Sequence, residues 1–140
     1  MKKIYFRADA GADIGYGHFI RSLSLASILK DKFECALFTQ TPSAYQLKEA
    51  EGVCPLVSLP STQEKYTLFL DRLDGDEIVV LDNYFYDVQY QKAIKEKGCS
   101  LVCIDDRKGQ QFYTDVIINH VIGISESDMI TLKPARLLLG

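Results

Sequence analysis

Apolar residues along this chain recur at two spacings, strand-like and helix-like, that take turns from one end to the other. Residues 3–8 read as a strand, and Phe19-Ile20, Leu23, Leu25-Ala26 and Ile28-Leu29 mark a helix over 17–31. A short strand at 34–38 leads to a helix over 43–51, which follows Pro42 and is closed by Gly52. A strand at 56–59 precedes a helix over 61–73, with Ser61 as its N-cap and the acid Glu64 three residues on. Ile78-Val79-Val80-Leu81 reads as a buried strand, 87–97 as a helix ended by Gly98, and 100–104 and 116–118 as strands; 136–139 opens a last one. This β-α-β-α-β-α-β-α-β order predicts an α/β fold: a Rossmann-like, mainly parallel sheet with helices on both faces. The expected core is Ile4, Phe6, Leu23, Leu25, Leu37, Ile78, Val80, Val102, Ile104, Val116 and Ile118.

Length and composition fit a single α/β domain over residues 1–140, with 47% hydrophobic and 25% charged residues. The net charge is −3 and no basic block appears, which argues against a nucleic-acid partner. No apolar stretch approaches membrane-spanning length, so no membrane partner is expected. Arg7 and Asp9 interrupt the apolar run behind Met1-Lys2-Lys3-Ile4, so a secretory leader is not expected. The cysteines, Cys35, Cys54, Cys99 and Cys103, form no C-x-x-C pair, and the two histidines are far apart in sequence. That spacing predicts no metal site; free thiols in a reducing, cytoplasmic location are expected instead. The apolar run Leu137-Leu138-Leu139 with Gly140 suggests that more chain follows.

Ligands of open parallel sheets bind outside the carboxyl ends of the strands. Polar residues gather at four such ends: Asp9; Asp82-Asn83-Tyr84; Asp105-Asp106-Arg107; and Asn119-His120. Between the first strand and the first helix lies the glycine-punctuated loop holding Gly11, Gly15 and Gly17. Glycines admit a ligand close to the backbone, and a helix N-terminus offers free N–H groups and positive partial charge to an anion. His18 is the leading catalytic candidate, because a neutral imidazole accepts a proton at neutral pH. Arg21, one turn on, either holds a phosphate or sugar hydroxyl or pairs with Asp9 or Asp105 to fix the loop. Tyr84 can hydrogen-bond a sugar or stack on it. Asp82, Asp105 and Asn119 are supporting candidates, and His120 fits a structural strand-end turn. A Gly-Lys-Ser/Thr phosphate loop is absent, the glycine spacing is not G-x-G-x-x-G, and Asp105-Asp106 is discounted as a magnesium site or phosphosite.

These residues carry a resemblance. The run Arg7-Ala8-Asp9-Ala10, Ile14-Gly15-Tyr16-Gly17-His18-Phe19-Ile20-Arg21 and Leu25-Ala26 resembles the opening of the nucleotide-sugar hydrolases of pseudaminic acid biosynthesis. Those enzymes act on UDP-2,4-diacetamido-2,4,6-trideoxy-β-L-altropyranose. Val80 to Tyr84, Cys103 to Arg107, Asp115 to Asn119 and Leu137 to Gly140 resemble later segments of the family in the same order. Gly11 stands where a Ser is common in the family, and Asn83 occupies a variable position. The resemblance implies the N-terminal half of a two-domain, glycosyltransferase-B-type fold whose second domain holds most of the UDP. It implies hydrolysis to free sugar and UDP without cofactor or metal, with His18 as the base that activates water at the anomeric carbon. Asp9, Gly15, Gly17, Arg21 and Tyr84 would then contact the substrate.

Two other readings compete. A glycosyltransferase of the same fold would use His18 on an acceptor hydroxyl instead of water; the Arg7-x-Asp9 and Asp82-x-Tyr84 pairs favour the hydrolase. A non-catalytic module binding a sugar nucleotide or a partner protein would present an apolar surface near the strand-end edge.

Overall fold

In the computed structural model, which describes residues Met1–Gly140, the alternating pattern resolves into a seven-stranded parallel sheet. β1 (Lys3–Arg7), α1 (Gly17–Leu29), β2 (Glu34–Gln40), α2 (Ala44–Ala50) and β3 (Leu56–Leu59) form its first half. α3 (Glu64–Asp71) crosses to β4 (Ile78–Leu81), followed by α4 (Val88–Glu96) and β5 (Ser100–Ile104). After β6 (Gln111–Phe112) come β7 (Val116–Asn119), a 3-10 turn at Glu126–Asp128, β8 (Ile130–Thr131) and β9 (Arg136–Leu139). The strand order is β3-β2-β1-β4-β5-β7-β9, while β6 and β8 pair separately. The fold is therefore the expected Rossmann-like α/β architecture.

The chain leaves β1 toward β2 and β3, then returns to β4 on the other side of β1. That reversal opens a crevice at the carboxyl ends of β1 and β4, where open α/β sheets bind ligands. The two strands are held in register, Ile4 beside Ile78 and Arg7 beside Leu81. The Asp82 N–H continues the ladder by donating to the Arg7 carbonyl at 3.1 Å.

Both faces of the sheet are buried, as an all-parallel sheet requires. One face packs Ile4, Phe6, Leu37, Val80 and Ile104 against Phe19, Leu23 and Ala26 of α1. The opposite face is the larger core: Phe38, Val79, Leu81, Leu101 and Ile117 meet Phe69 of α3 and Ile94 of α4. The expected core listed the strand residues of the α1 side alone. Because side chains alternate across a strand, the neighbours of those residues build the second core. Leu25, Ile78, Val102, Val116 and Ile118 are only partly buried.

One local expectation changes, and two short strands are additional. α3 starts at Glu64 after Gln63, with no side-chain cap, and not at Ser61. A tight turn closed by the Lys65 N–H on the Thr62 carbonyl takes up the segment that Ser61 would have capped. β6 and β8, two residues each, carry no periodicity from which a strand can be read. α2 has the stronger start: Ser43 and Gln46 form a reciprocal capping box.

Candidate functional site

The loop after β1 folds back on itself. Gly11 and Gly15 exchange backbone hydrogen bonds, and Gly15 sits at φ +78°, a left-handed conformation that favours glycine. The turn delivers Gly17 as the first residue of α1. A Cβ there would meet no atom within 4 Å, so Gly17 leaves space open at the helix start. α1 has no side-chain cap and no acid in its first turn, which leaves its leading N–H groups and positive end available to an anion.

Behind this helix end lies Asp82, the first residue after β4, fully buried. Its carboxylate receives His18 Nδ1 at 3.0 Å and Arg21 Nε at 2.8 Å. Arg21 Nη2 completes a two-pronged clamp, and the Ser22 hydroxyl adds a bond at 3.3 Å. A carboxylate only accepts, so Nδ1 carries the imidazole hydrogen and Nε2 is the basic nitrogen. Nε2 has no protein partner and is not sealed from solvent. His18 lines two adjoining recesses. One of 210 Å³ is bounded by Ile14, Gly17, Arg21, Tyr84 and Asp106; one of 270 Å³ is bounded by Asp13, Ile14, Asn83, Tyr84 and Phe85.

Tyr84, 45% exposed, stands edge-on to the His18 ring with centroids 4.8 Å apart. Its hydroxyl donates to Asp106 at 2.5 Å, which pushes the phenol pKa up to about 12 and holds the Asp106 carboxyl below its usual range. The Arg107 guanidinium lies over the Tyr84 ring, 4.4 Å from its centroid. Arg107 is itself fixed by Asp105, which takes its Nε at 2.9 Å and Nη2 at 2.7 Å.

His18, Arg21, Tyr84, Gly17 and Asp82 are thus brought together. Arg21 pairs with neither Asp9 nor Asp105; its partner is Asp82, reached because α1 runs past the end of β4. Asp9, expected to contact the ligand, is instead wholly buried. Arg7, Lys65 at 2.9 Å and the Gln40 N–H at 2.8 Å surround its carboxylate. Burial alone raises the Asp9 pKa, but the Arg7 and Lys65 contacts outweigh it and hold the carboxyl below its ordinary value. Asp105 and Asp106 do not act as a pair: the first turns inward to Arg107, the second lines the recess. Asn119 is buried, joining the Arg107 carbonyl to the Val121 N–H. His120 is exposed, its Nδ1 3.4 Å from Arg21 Nη1.

Two residues were not among the sequence candidates. Both belong to the polar strand-end groups, but Asp106 is discounted there as half of an acid pair and Asn83 stands at a variable position. Asn83 Oδ1 accepts from the Asp9 N–H at 2.7 Å and so ties the two site loops together. The weak signal for both was their place directly behind a strand end.

All four cysteines are unpaired, and burial pushes Cys103 up to about 12 and Cys54 and Cys99 to about 11, so none is a ready nucleophile. The carboxylates of Asp74, Asp76 and Glu77 gather just ahead of β4, at the opposite edge of the sheet. There Glu77 accepts the N–H groups of Asp74 and Gly75, which makes the group a closed turn. No helix is long and apolar enough to cross a membrane.

No family model matches the chain. It is 28% identical over 141 aligned residues to the UDP-2,4-diacetamido-2,4,6-trideoxy-beta-L-altropyranose hydrolase of Campylobacter jejuni subsp. jejuni serotype O:2. The match covers 96% of this chain and 47% of that protein, so the chain spans about half the length of the curated relative it matches.

Proposed function

We propose that this chain is the catalytic half of a nucleotide-sugar hydrolase, acting on a UDP-linked diacetamido-trideoxy hexose in bacterial surface-polysaccharide biosynthesis. The observation that carries the reading is the His18–Asp82 pair: the acid is buried, His18 Nε2 has no protein partner, and His18 lines a recess at the uncapped end of α1. The similarity to the Campylobacter hydrolase supplies the substrate class.

In this reading Asp82 and Arg21 fix the imidazole, and Asp82 stabilises the imidazolium as it forms. Nε2 takes a proton from water while the water oxygen bonds to the anomeric carbon. The bond from that carbon to the diphosphate oxygen breaks with inversion, and UDP leaves with the electron pair. The positive end of α1 faces the departing phosphates. A second, glycosyltransferase-B-type domain would supply the remaining UDP contacts, in keeping with a relative about twice as long. The unpaired cysteines accord with a cytoplasmic setting.

The test uses the full-length gene product, unsubstituted and as His18→Ala, with the UDP-linked sugar. UDP and free sugar are followed by NMR. Release without any acceptor, lost in His18→Ala, is the expected result. Release only when a hydroxyl acceptor is added makes the protein a glycosyltransferase, and silence in both leaves a binding module.

A further inference from the structure

Asp106 and Tyr84 together offer hydrogen-bond acceptors and no donor to the recess that His18 lines. The only hydrogen of the Tyr84 hydroxyl is committed to Asp106 Oδ1, so the phenol oxygen can only accept. Tyr84 is the one other residue that donates to the Asp106 carboxylate, and it takes Oδ1, not Oδ2. The Tyr84 hydrogen bond, and after it the charge of Arg21, help keep the carboxylate ionised. Arg107 beneath the Tyr84 ring and His18 at its edge leave the pair little freedom to turn.

An ionised carboxylate repels phosphate and welcomes O–H or N–H groups. We infer that Asp106, with Tyr84, is a specificity-determining acceptor pair that reads hydrogen-bond donors on the sugar ring and turns the diphosphate toward α1. The inference rests on the nucleotide-sugar reading above. The relative's substrate, by its name, carries two acetamido N–H groups and one ring hydroxyl, all of them donors. A sugar missing such a donor would leave the pair unpaired against the ligand, the kind of mismatch that polar sites reject most strongly.

The test is calorimetry on the full-length protein carrying His18→Ala, so that the probe is not turned over. The two probes are the UDP-linked diacetamido sugar and UDP itself. Asp106→Asn keeps an acceptor for Tyr84 but puts an amide N–H where Oδ2 stood. It should weaken the UDP-sugar about tenfold or more while leaving UDP within about twofold. Asp106→Glu, which restores the acceptor, should recover part of the loss. The inference is overturned if UDP and UDP-sugar weaken together, if neither changes, or if the UDP-sugar binds no tighter than UDP before Asp106 is changed. Failure of the unsubstituted protein to release sugar would sink the hydrolase reading alone. The ratio of the two affinities would still decide the role of Asp106.

Discussion

Asp9 and Asp82 stand just beyond adjacent parallel strands, are both fully buried, and both face an arginine, yet the structure gives them opposite surroundings. The cations around Asp9 are as deep as it is: Arg7 is inaccessible and Lys65 nearly so. Tyr86 closes the back of the cluster, with its ring 5.6 Å from the Arg7 guanidinium. The partners of Asp82 lead outward, since the Arg21 side chain is 28% exposed and His18 lines the recess. The difference teaches that the exposure of a carboxylate's partners, more than its own, separates a closed ion pair from one that stays open to a ligand.

The largest expected effect lies on the Asp82 side. With the full-length protein and the proposed UDP-sugar substrate, His18→Ala should lower kcat by about 10²–10⁴-fold. Asp82→Asn should remove the tautomer control and cost up to about 10⁴-fold. Because the two act as one unit, the double variant should be little worse than His18→Ala alone. Additive losses in steady-state kinetics would mean that Asp82 does not work through His18.

Asp9→Ala should act on stability instead. It strands Arg7 and Lys65 without a counter-charge, and breaking such a buried pair costs about 3–5 kcal/mol. For a chain of this length that is a fall in Tm of roughly 10–17 °C, or outright failure to fold. Asp82→Ala should cost only about 1–2 kcal/mol, since Arg21 can turn to water. Urea titration of the two variants side by side checks the contrast; equal losses would erase it.

Asp115 gives a case between the two, a carboxylate 31% exposed and bridged by Lys95 at 2.7 Å and Lys133 at 2.9 Å. Burial alone would raise its pKa, but the two lysines and the Leu101 N–H bring it down to about 2. A depressed carboxyl contributes stability above its unfolded pKa of about 3.9 and loses it as pH falls through the folded value. The stability gap between the unsubstituted protein and Asp115→Asn should therefore hold steady from pH 7 to about 5 and shrink toward pH 2. Its size at pH 7 should be at most about 2 kcal/mol, less with screening by solvent.

Much of this was legible in the sequence. Strands β3, β4 and β5 fall on the expected residues because their apolar runs are bounded by turn residues, and the position of each polar strand-end group followed from parallel topology. Pairing was less legible. Nothing local tells that Arg21 reaches back to Asp82 across 61 residues, or that Asp9 turns into the core while Asp106 turns out. Those outcomes depend on which face of a loop the neighbouring helix covers, and Arg7, a charged residue on a core strand, is the one local sign that Asp9 is buried as its partner. The shortest elements, β6 and β8, are held by the chain around them rather than by their own pattern.

The smallest expected effect sharpens the same contrast between the two histidines. His120 approaches Arg21 Nη1 at 3.4 Å, but it is exposed at the end of β7, while the Asp82 clamp uses the other nitrogens of Arg21, Nε and Nη2. His120→Ala therefore leaves the clamp intact. Stability should stay within about 0.5 kcal/mol, as for most exposed substitutions. The value of kcat/KM for the UDP-sugar should move by no more than about threefold, against the much larger loss in His18→Ala. A His120→Ala variant as impaired as His18→Ala would shift the base from α1 to the end of β7. Asp82 would then be no more than a second structural acid, like Asp9.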